Sequence, residues 1–278
     1  MNLILIPVYN DWKSLHKLLL KINKKFSNKF LSRVLIIDDF STIKMSLNKK
    51  KFDKIKKIEI LRLNENVGSQ KAIAIGLNYL HEKGRDFKYI TIMDGDGEDD
   101  PITLELMLRA AKKYKNSIIV SCRKDRNENF FIKFSYKIHL ILTSLFTGHW
   151  MSFGNYSCFF FKNLDSLLSD NSIWHAYSAA VKKNTNIHRV YAERAKRFFG
   201  ESQVNFLFLV THSLRIIGVF YKRVIFYSLI YLILINFLLQ DYNIVLNFIV
   251  LFFNILILIT LSSSKIKNDI SFSIKKVK

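Results

Sequence analysis

Two carboxylates separated by one glycine form the most chemically suggestive stretch of this chain. Asp94 and Asp96 follow an apolar run, Tyr89 to Met93. Because both acids come just past the end of a predicted strand, they can reach one cation from the same loop. Mg²⁺ and Mn²⁺ prefer oxygen ligands of this kind and commonly bind substrate phosphates as well. The spacing therefore predicts a divalent-metal site. The alternative is a solvated acidic turn that caps the helix beginning near Pro101.

Strand-like and helix-like segments alternate over the first half of the chain. The predicted strands are Leu3 to Val8, Arg33 to Ile37, Ile58 to Leu63 and Tyr89 to Met93. The predicted helices are Trp12 to Phe26, in which leucine and isoleucine recur at helical spacing, and Ser69 to Lys83. This alternation predicts an α/β fold with a largely parallel sheet and helices on both faces. Each strand is followed by a polar cluster, and ligands bind outside the carboxyl ends of such sheets.

The composition indicates a basic globular part beside a membrane-embedded part. The 278 residues carry a net charge of +21, yet 50% of them are hydrophobic and 14% are aromatic. Basic surfaces of this kind face anionic lipid or phosphorylated substrates. Nucleic acid is a weaker candidate, because no recognised binding motif is present and the aromatic residues cluster in apolar runs. Cys122 and Cys158 are the only cysteines, and we expect two reduced, buried thiols in a cytosolic domain.

Two apolar segments near the C-terminus have the length of membrane spans. Val224 to Leu239 holds about 16 residues without a charge, and Tyr242 to Leu261 holds about 20. Only Gln240 and Asp241 separate them, so they predict a transmembrane hairpin, with a buried helical hairpin of a soluble core as the alternative. Basic residues flank both outer ends, which predicts that both termini face the cytoplasm.

Two further segments have an amphipathic pattern. Asn129 to Trp150 and Val204 to Tyr221 mix phenylalanine, isoleucine and leucine with a few basic residues. Both patterns suit helices that lie in the membrane interface, and a core helix is the alternative for each. The second segment runs directly into the predicted spans, which favours the interface there.

Several short motifs occur in the order typical of one enzyme family. They are Pro7-Val-Tyr-Asn-Asp11, Asp38-Asp39, Asn66-Val-Gly68, Asp94-Gly-Asp96 with Pro101, Ser121-Cys-Arg123 with Arg126, and Arg194-Ala-Lys-Arg197-Phe-Phe-Gly200-Glu-Ser202. On these motifs the chain, from about Leu3 to Tyr221, resembles the inverting GT-A glycosyltransferases of family 2. The resemblance is to the branch of dolichol-phosphate mannose synthase and the bacterial polyprenyl-phosphate glucosyltransferases.

The resemblance implies a Rossmann-like GT-A domain and an enzyme that moves a hexose from a nucleotide sugar to polyprenyl phosphate. The donor would be a UDP-hexose, with GDP-mannose as the alternative, and the metal would be Mg²⁺ or Mn²⁺. The implied donor-binding residues are Pro7, Tyr9, Asp11, Asp39 and Asp94, and the implied metal ligands are Asp96, Asp94 and Glu98. Asp38 is as well explained by a helix cap or turn as by function.

Four arginines would supply positive charge around the acceptor phosphate and the departing diphosphate. They are Arg123, Arg126, Arg194 and Arg197, and guanidinium groups hold phosphate oxygens bidentately. With Asp94 and Asp96 they make up the implied catalytic set. For at least one of them, a merely solubilising or lipid-facing charge is the alternative.

Two departures from the family pattern bear on the acceptor. Asn155 stands where this branch usually has aspartate, and Gln203 stands where it usually has lysine. An amide cannot act as a general base, which fits a phosphate acceptor. The alternatives are transfer to a hydroxyl of a lipid-linked or cell-envelope glycan, and a membrane subunit that binds nucleotide sugar with little catalysis.

The expected organisation has four parts. Residues 1–202 form the cytoplasmic GT-A domain, 203–222 an amphipathic juxtamembrane helix, 223–262 the transmembrane hairpin and 263–278 a basic cytoplasmic tail. We expect a multi-pass protein of a bacterial cytoplasmic (inner) membrane, with a role in cell-envelope biogenesis. Its partners would be the donor, polyprenyl phosphate and membrane lipids, and a homo-oligomer is possible.

Overall fold

The computed structural model describes residues 2–26, 33–45, 47, 52–84, 87–124, 130–200, 206–263 and 272–276. Within these residues, eight strands form one sheet. They are β1 (Asn2–Val8), β2 (Arg33–Asp38), β3 (Lys57–Leu63), β4 (Tyr89–Ile92), β5 (Ser117–Arg123), β6 (Phe153–Phe160), β7 (Asn186–Ala192) and β8 (Phe272–Lys276). Their order across the sheet is β7-β5-β6-β4-β1-β2-β3-β8.

Nine helices accompany these strands in the described part of the chain. They are α1 (Trp12–Lys25), α2 (Ser69–Lys83), α3 (Pro101–Lys113), α4 (Phe130–Thr147), α5 (Asn163–Leu167), α6 (Tyr177–Asn184), α7 (Phe206–Gly218), α8 (Tyr221–Leu238) and α9 (Asn243–Ser263). Every helix and strand predicted from the sequence is present, with bounds that differ by at most a few residues.

The central strands are parallel, which brings their carboxyl ends to one edge of the sheet. β1 pairs in parallel with β2, with Val8 opposite Asp38, and on its other side with β4, with Leu5 opposite Ile92. β6 runs antiparallel between β4 and β5, and β7 is again parallel to β5. The predicted α/β sheet with helices on both faces is therefore confirmed, and the segments after β1, β2 and β4 meet at one edge.

Two hydrophobic clusters cover the two faces of the sheet. One face packs against α2, α5, α6 and the end of α7, and the other packs against α1 and α3. The helix α2 lies close to the sheet at Gly76, where an added Cβ would lie 2.7 Å from Leu5 Cδ1. Glycine is required there because the helix backbone approaches the strands so closely.

Capping residues set where the helices next to the acidic segments begin. Asp11 accepts a hydrogen bond from the Ser14 amide at the start of α1, over 3.3 Å. Asp100 does the same for α3, accepting from the Ile102 amide over 2.8 Å, and Pro101 follows as the first helical residue. Both caps satisfy amides that the helix itself leaves unpaired.

The helices α8 and α9 form an antiparallel pair whose surface is mostly apolar and exposed. Both are long and apolar enough to cross a membrane, with mean hydropathies of 1.5 and 2.8 over spans of which only 11% and 17% is buried. A small cluster of Phe146, Ile217, Val224 and Ile257 joins the base of this pair to α4 and α7. The two predicted amphipathic segments are thus helices that pack beside the hairpin.

The C-terminal segment contributes a feature that the sequence interpretation lacked. The predicted basic tail contains β8, which pairs antiparallel with β3, with Leu61 opposite Ile274. The tail therefore extends the sheet of the N-terminal domain by one edge strand.

Candidate functional site

A polar cleft lies at the carboxyl ends of β1, β2 and β4. Its volume is about 160 Å³, and it is lined by Pro7, Val8, Tyr9, Asp11, Asp39, Ser69, Asp94, Gly95, Asp96 and Arg197. All five residues that the sequence predicted for donor binding are among them. Parallel pairing explains this convergence, because each lining segment leaves the sheet at the same edge.

The acidic loop after β4 is held in shape by its own carboxylates. Asp99 accepts a hydrogen bond from the Asp94 amide over 2.8 Å, and Asp96 accepts one from the Glu98 amide over 3.0 Å. Gly97, between them, has a φ of +92°, which favours glycine. The loop therefore turns back on itself and presents Asp94 and Asp96 to the cleft.

Burial and mutual repulsion raise the pKa values of carboxyl groups in this loop. Burial, reinforced by the charge of Asp96, raises the pKa of Asp94 to about 6. Burial and the neighbouring Asp94 also raise the pKa of Asp99 well above its ordinary value. Like charges in a poorly solvated place resist ionisation, and a bound cation would relieve them. Clustered carboxylates with raised pKa values are therefore typical of a cation-binding site.

Arg197 provides a positive charge inside the cleft. Its guanidinium donates to Asp11 over 3.0 Å and to Asp96 over 3.2 Å, so that it bridges the loops after β1 and β4. Burial raises the pKa of Asp96, and the Arg197 guanidinium is the largest influence that opposes this rise. Arg197 thus stands where a cation can contact two of the cleft carboxylates.

The segment 194–198 is fastened along the acidic loop, and we call it the strap. The amide of Ala195 donates to the Glu98 carbonyl and that of Phe198 to the Asp96 carbonyl, each over 3.0 Å. Arg194 forms an ion pair with Glu98. The Phe198 ring lies directly over Gly97, where an added Cβ would be only 2.3 Å from the ring. Two backbone hydrogen bonds, an ion pair and a ring contact therefore hold the strap against the acidic loop.

The loops after β1 and β2 form the opposite side of the cleft. Asp39 is 3% exposed and accepts the amides of Val67 and Gly68 over 2.8 and 2.9 Å. Burial raises its pKa, although these two hydrogen bonds act in the other direction. Tyr9 is 43% exposed and offers an open aromatic face. A carboxylate and an aromatic face together suit a nucleobase and its ribose.

A chain of amide hydrogen bonds runs from the acidic loop to α2 and α6. Asn155 donates to Asp94 over 3.4 Å and accepts from Gln70 over 3.1 Å. Gln70 in turn accepts from the Tyr177 amide over 2.8 Å. Asn155 therefore orients Asp94 beside the acidic loop. It stands where the branch that the sequence resembles usually has aspartate.

The chain matches the glycosyl transferase family 2 over residues 3–184. This chain belongs to glycosyl transferase family 2. The match ends before the strap, α7 and the hairpin, so it covers the sheet strands β1 to β6 and the cleft loops that follow them.

The chain is similar to solved structures of low sequence identity, and a mycobacterial protein among them shares the fold. This mycobacterial protein has a TM-score of 0.53 at 11% identity, covering 80% of this chain and 74% of that one. Staphylococcus aureus TarS 1–349 has a TM-score of 0.48 at 16% identity, covering 79% of this chain and 65% of that one. The same TarS fragment in complex with UDP-GlcNAc gives 0.49 at 17% identity, covering 87% and 72%. This chain thus spans just under two thirds of the first TarS fragment. No curated protein matches it.

The predicted site residues of this family 2 chain fall into three groups. Asp94, Asp96 and Arg197 meet in the cleft. Burial raises the pKa values of Asp94 and Asp96, and the charge of Arg123 is close enough to oppose that rise in part. Glu98 and Arg194 pair with each other beside the cleft instead of lining it. Arg126 lies outside the described residues, as does Gln203, which was noted only as a departure from the pattern.

Asp38 has a structural role in the family 2 domain. It is 2% exposed, pairs with Arg62 over 2.8 Å and accepts the Ser41 amide over 2.8 Å. Its neighbour Asp39 faces the cleft instead, since successive side chains of a strand end point to opposite sides. The two adjacent aspartates thus have separate partners.

Three contributors were missed by the sequence interpretation. Gln70 and Asp99 support Asp94, through Asn155 and through its backbone amide, and Ser69 lines the cleft. Asp99 stood inside the acidic run, and Ser69 and Gln70 follow the Asn66-Val-Gly68 turn at the start of α2. Their positions just after strand ends were the available signal.

The donor set suits a hard cation that also binds a substrate. Within the described residues, no group of three or more His, Cys, Asp and Glu side chains is placed to hold a metal. Asp94 and Asp96 supply two carboxylates, and Arg197 already lies as a cation against Asp96. Mg²⁺ commonly takes one or two protein carboxylates and completes its shell with water and substrate phosphates. The residues present therefore fit a metal that arrives with a diphosphate.

Proposed function

We propose that this family 2 glycosyltransferase transfers a hexose from a nucleoside-diphosphate sugar, with UDP favoured, to polyprenyl phosphate at the membrane. The observation that carries the proposal is the cleft itself. It places an aromatic face and Asp39 on one side, and Asp94, Asp96 and Arg197 on the other. This arrangement offers a nucleoside pocket next to a diphosphate pocket at one edge of the sheet.

The arrangement around the acidic loop favours a phosphate acceptor. Asn155 lies beside Asp94 where an aspartate could have served as a base. Among the described cleft carboxylates, Asp11 and Asp96 are engaged by Arg197, Asp39 by two backbone amides and Asp94 by the Asn155 side-chain amide. A hydroxyl acceptor needs a positioned base, whereas a phosphate monoester has a second pKa of about 6 and is already an oxyanion at neutral pH.

The proposed reaction is a single displacement. An acceptor phosphate oxygen attacks the anomeric carbon, the bond from that carbon to the diphosphate oxygen breaks, and the electron pair leaves with the nucleoside diphosphate. The configuration at carbon is inverted. Asp94 and Asp96 would hold Mg²⁺ or Mn²⁺, which supplies positive charge to the diphosphate. Arg197 and Arg123 add guanidinium charge where negative charge develops.

The hairpin and tail support a membrane location with both ends of the chain on one side. The helices α8 and α9 are joined by only a short turn near Gln240, and β8 returns to the sheet that carries the cleft. If the hairpin spans, the cleft and the tail face the same compartment. The flanking basic residues favour the cytoplasmic face for that side.

Sugar transfer by the purified full chain in detergent tests the proposal. Radiolabelled UDP- and GDP-hexoses are offered with undecaprenyl phosphate and Mn²⁺ or Mg²⁺. We expect a lipid-extractable product that disappears when metal is chelated. In Asp96→Asn, we expect a loss of at least about 100-fold.

Asp100→Asn is the matched control for Asp96→Asn. It removes one carboxylate from the same loop, but Asp100 caps α3 and does not line the cleft, and asparagine caps helices equally well. Its activity should remain near that of the wild type. Donor binding without any lipid product would contradict the proposed acceptor and favour a glycan hydroxyl.

A further inference from the structure

Four nitrogen-bearing side chains gather where the catalytic domain meets the first candidate span. They are Lys182 of α6, Arg189 of β7, Arg223 of α8 and His149 of the loop between α4 and β6. We call them the junction cluster. None of them lines the polar cleft, and they come from four separate elements of the chain.

Defined contacts hold the junction cluster in place. The Arg223 guanidinium lies 2.7 Å from His149 Nε2 and donates to the Thr147 carbonyl over 3.3 Å. The His149 ring packs edge-on against Phe220, with the ring centroids 4.9 Å apart. Arg189 lies close enough to the Cys122 thiol to influence its pKa, which burial raises and the Arg189 charge lowers. The cations are therefore anchored to the domain.

In the part of the chain that the structure describes, no carboxylate forms an ion pair with the cations of this cluster. Among the described residues, Lys182, Arg189 and Arg223 form no ion pair, whereas the adjacent Lys183 pairs with Asp170 over 2.6 Å. Burial, and then the charges of Arg189 and Arg223, lower the pKa of Lys182. Burial, Arg223 and Lys182 likewise lower the pKa of His149 to about 4. Like charges held together in this way leave a positive potential that an anion would relieve.

We propose that the junction cluster binds the phosphate group of a membrane lipid. Guanidinium and ammonium groups are the side chains that recognise phosphate. The start of α8 also lies at the cluster and carries the positive end of the helix dipole. No side chain caps it, and its Arg223 amide donates to the Phe220 carbonyl over 2.8 Å. The proposal concerns binding alone and does not depend on sugar transfer.

The surroundings of the junction cluster favour a lipid over a soluble phosphate. Trp150, Ile225 and Phe226 are 51%, 49% and 59% exposed, and they are close in sequence to His149 and Arg223. Trp150 follows His149 in the loop between α4 and β6, and exposed tryptophan is enriched at the depth at which lipid headgroups lie. A phosphate bound here would have acyl chains along α8.

Lipid binding by the full chain in an uncharged detergent tests the proposal. Dioleoyl phosphatidic acid is titrated without nucleotide sugar or metal, and bound lipid is counted by native mass spectrometry. We expect one tightly bound lipid in the wild type. Lys182→Gln and Arg223→Gln should each weaken its binding about tenfold, since each removes a charge-assisted hydrogen bond.

Lys222→Gln is the matched control, because Lys222 is adjacent to Arg223, exposed, and outside the cluster. It should change the affinity less than about twofold. Equal weakening in all three variants would mean a diffuse surface charge and would overturn the proposal, as would unchanged binding in Lys182→Gln and Arg223→Gln. Melting temperatures without lipid verify that each variant is folded.

Two further arms identify the source of the phosphate. Inorganic phosphate at millimolar concentration should not displace the lipid, and dioleoyl glycerol, which lacks the phosphate, should not bind the site. Displacement by inorganic phosphate would assign the cluster to a soluble anion and overturn the lipid proposal. Binding of dioleoyl glycerol at equal affinity would show that acyl chains alone are recognised, which also overturns it.

Discussion

At the scale of single residues, the position of Arg197 gives the sharpest prediction. Its guanidinium contacts Asp11 and Asp96 and so occupies space that a metal would use. Removing it should leave two facing carboxylates without a cation. We therefore expect Arg197→Gln to bind Mn²⁺ about tenfold more tightly than the wild type in the absence of nucleotide. Electron paramagnetic resonance of free Mn²⁺ measures this.

The same variant should lose activity while it gains metal affinity. A guanidinium that moves to the diphosphate supplies charge in the transition state, and losing one such donor costs about 100-fold or more in kcat. Arg62→Gln is a suitable control, since Arg62 also pairs with an aspartate but lies at Asp38, away from the cleft. If Arg197→Gln bound Mn²⁺ no better than this control, Arg197 would not compete with the metal.

The charged carboxylate of Asp94 should lower the free energy of unfolding of the protein at neutral pH. Its pKa of about 6 lies above the ordinary value of 3.8, so the folded chain holds the proton more tightly than the unfolded chain. The resulting stabilisation is complete below about pH 3.8 and is lost as the pH rises through about 6. Asp94→Asn should therefore be more stable than the wild type at pH 7, by about 1–3 kcal/mol.

Denaturant unfolding between pH 5 and pH 7.5, with a chelator present, measures this difference. The advantage of Asp94→Asn should shrink as the pH falls, because the wild-type carboxyl becomes protonated. The amide introduced at this position keeps an oxygen to accept the hydrogen bond from Asn155, so the local structure should persist. A difference between the two proteins that stays constant with pH would contradict the raised pKa.

At the scale of elements, the close packing of the strap against the acidic loop requires a glycine at position 97. Gly97 has a φ of +92°, and a Cβ there would lie 2.3 Å from the Phe198 ring. Gly97→Ala should displace the strap and destabilise the protein by about 2–4 kcal/mol. Limited trypsin digestion reports the displacement, since Arg194, Lys196 and Arg197 lie in the strap.

Gly84→Ala is the control for Gly97→Ala, because it introduces similar backbone strain without a clash against an aromatic ring. Gly84 has a similar φ of +84°, but no atom of the described residues lies within 4 Å of an added Cβ. Both variants should lose stability, but only Gly97→Ala should become more sensitive to trypsin at the strap. Equal sensitivity in both variants would mean that the Phe198 contact does not hold the strap in place.

Local patterns were sufficient to predict most elements but not their long-range partners. The bounds of α2 follow from glycines at 68 and 84 on either side, and Pro101 marks the start of α3. The pairing of Arg197 with Asp11 spans 186 positions of the chain, and no local pattern encodes it. The exclusion of Glu98 from the cleft has the same origin, because Arg194 pairs with it only when the strap is in place.

At the scale of the whole molecule, the tail shows what composition alone leaves out. Its lysines predicted a basic cytoplasmic tail. Phe272 and Ile274 nevertheless alternate with polar residues as in a strand, and β8 pairs with the edge of β3. An unpaired edge invites association with other chains. Because β8 pairs with β3, the chain returns to the sheet of the N-terminal domain after the hairpin. The cleft and the tail therefore lie on the same side of any membrane that the hairpin spans.

This arrangement predicts opposite exposure for the two ends of α8. Lys222 and Asp241 lie near the start of that helix and just after its end, and 18 helical residues span about 27 Å, close to the thickness of a bilayer core. In right-side-out membrane vesicles, Asp241→Cys should react with a membrane-impermeant maleimide and Lys222→Cys should not. In inverted vesicles the pattern should reverse. The native Cys122 and Cys158 are buried and should give little background. Both engineered positions are exposed, so both can react with the reagent. Labelling of both from the same side would show that α8 and α9 lie on the membrane surface. Labelling from opposite sides would mean that the hairpin spans the membrane, which is also the geometry that returns β8 to β3.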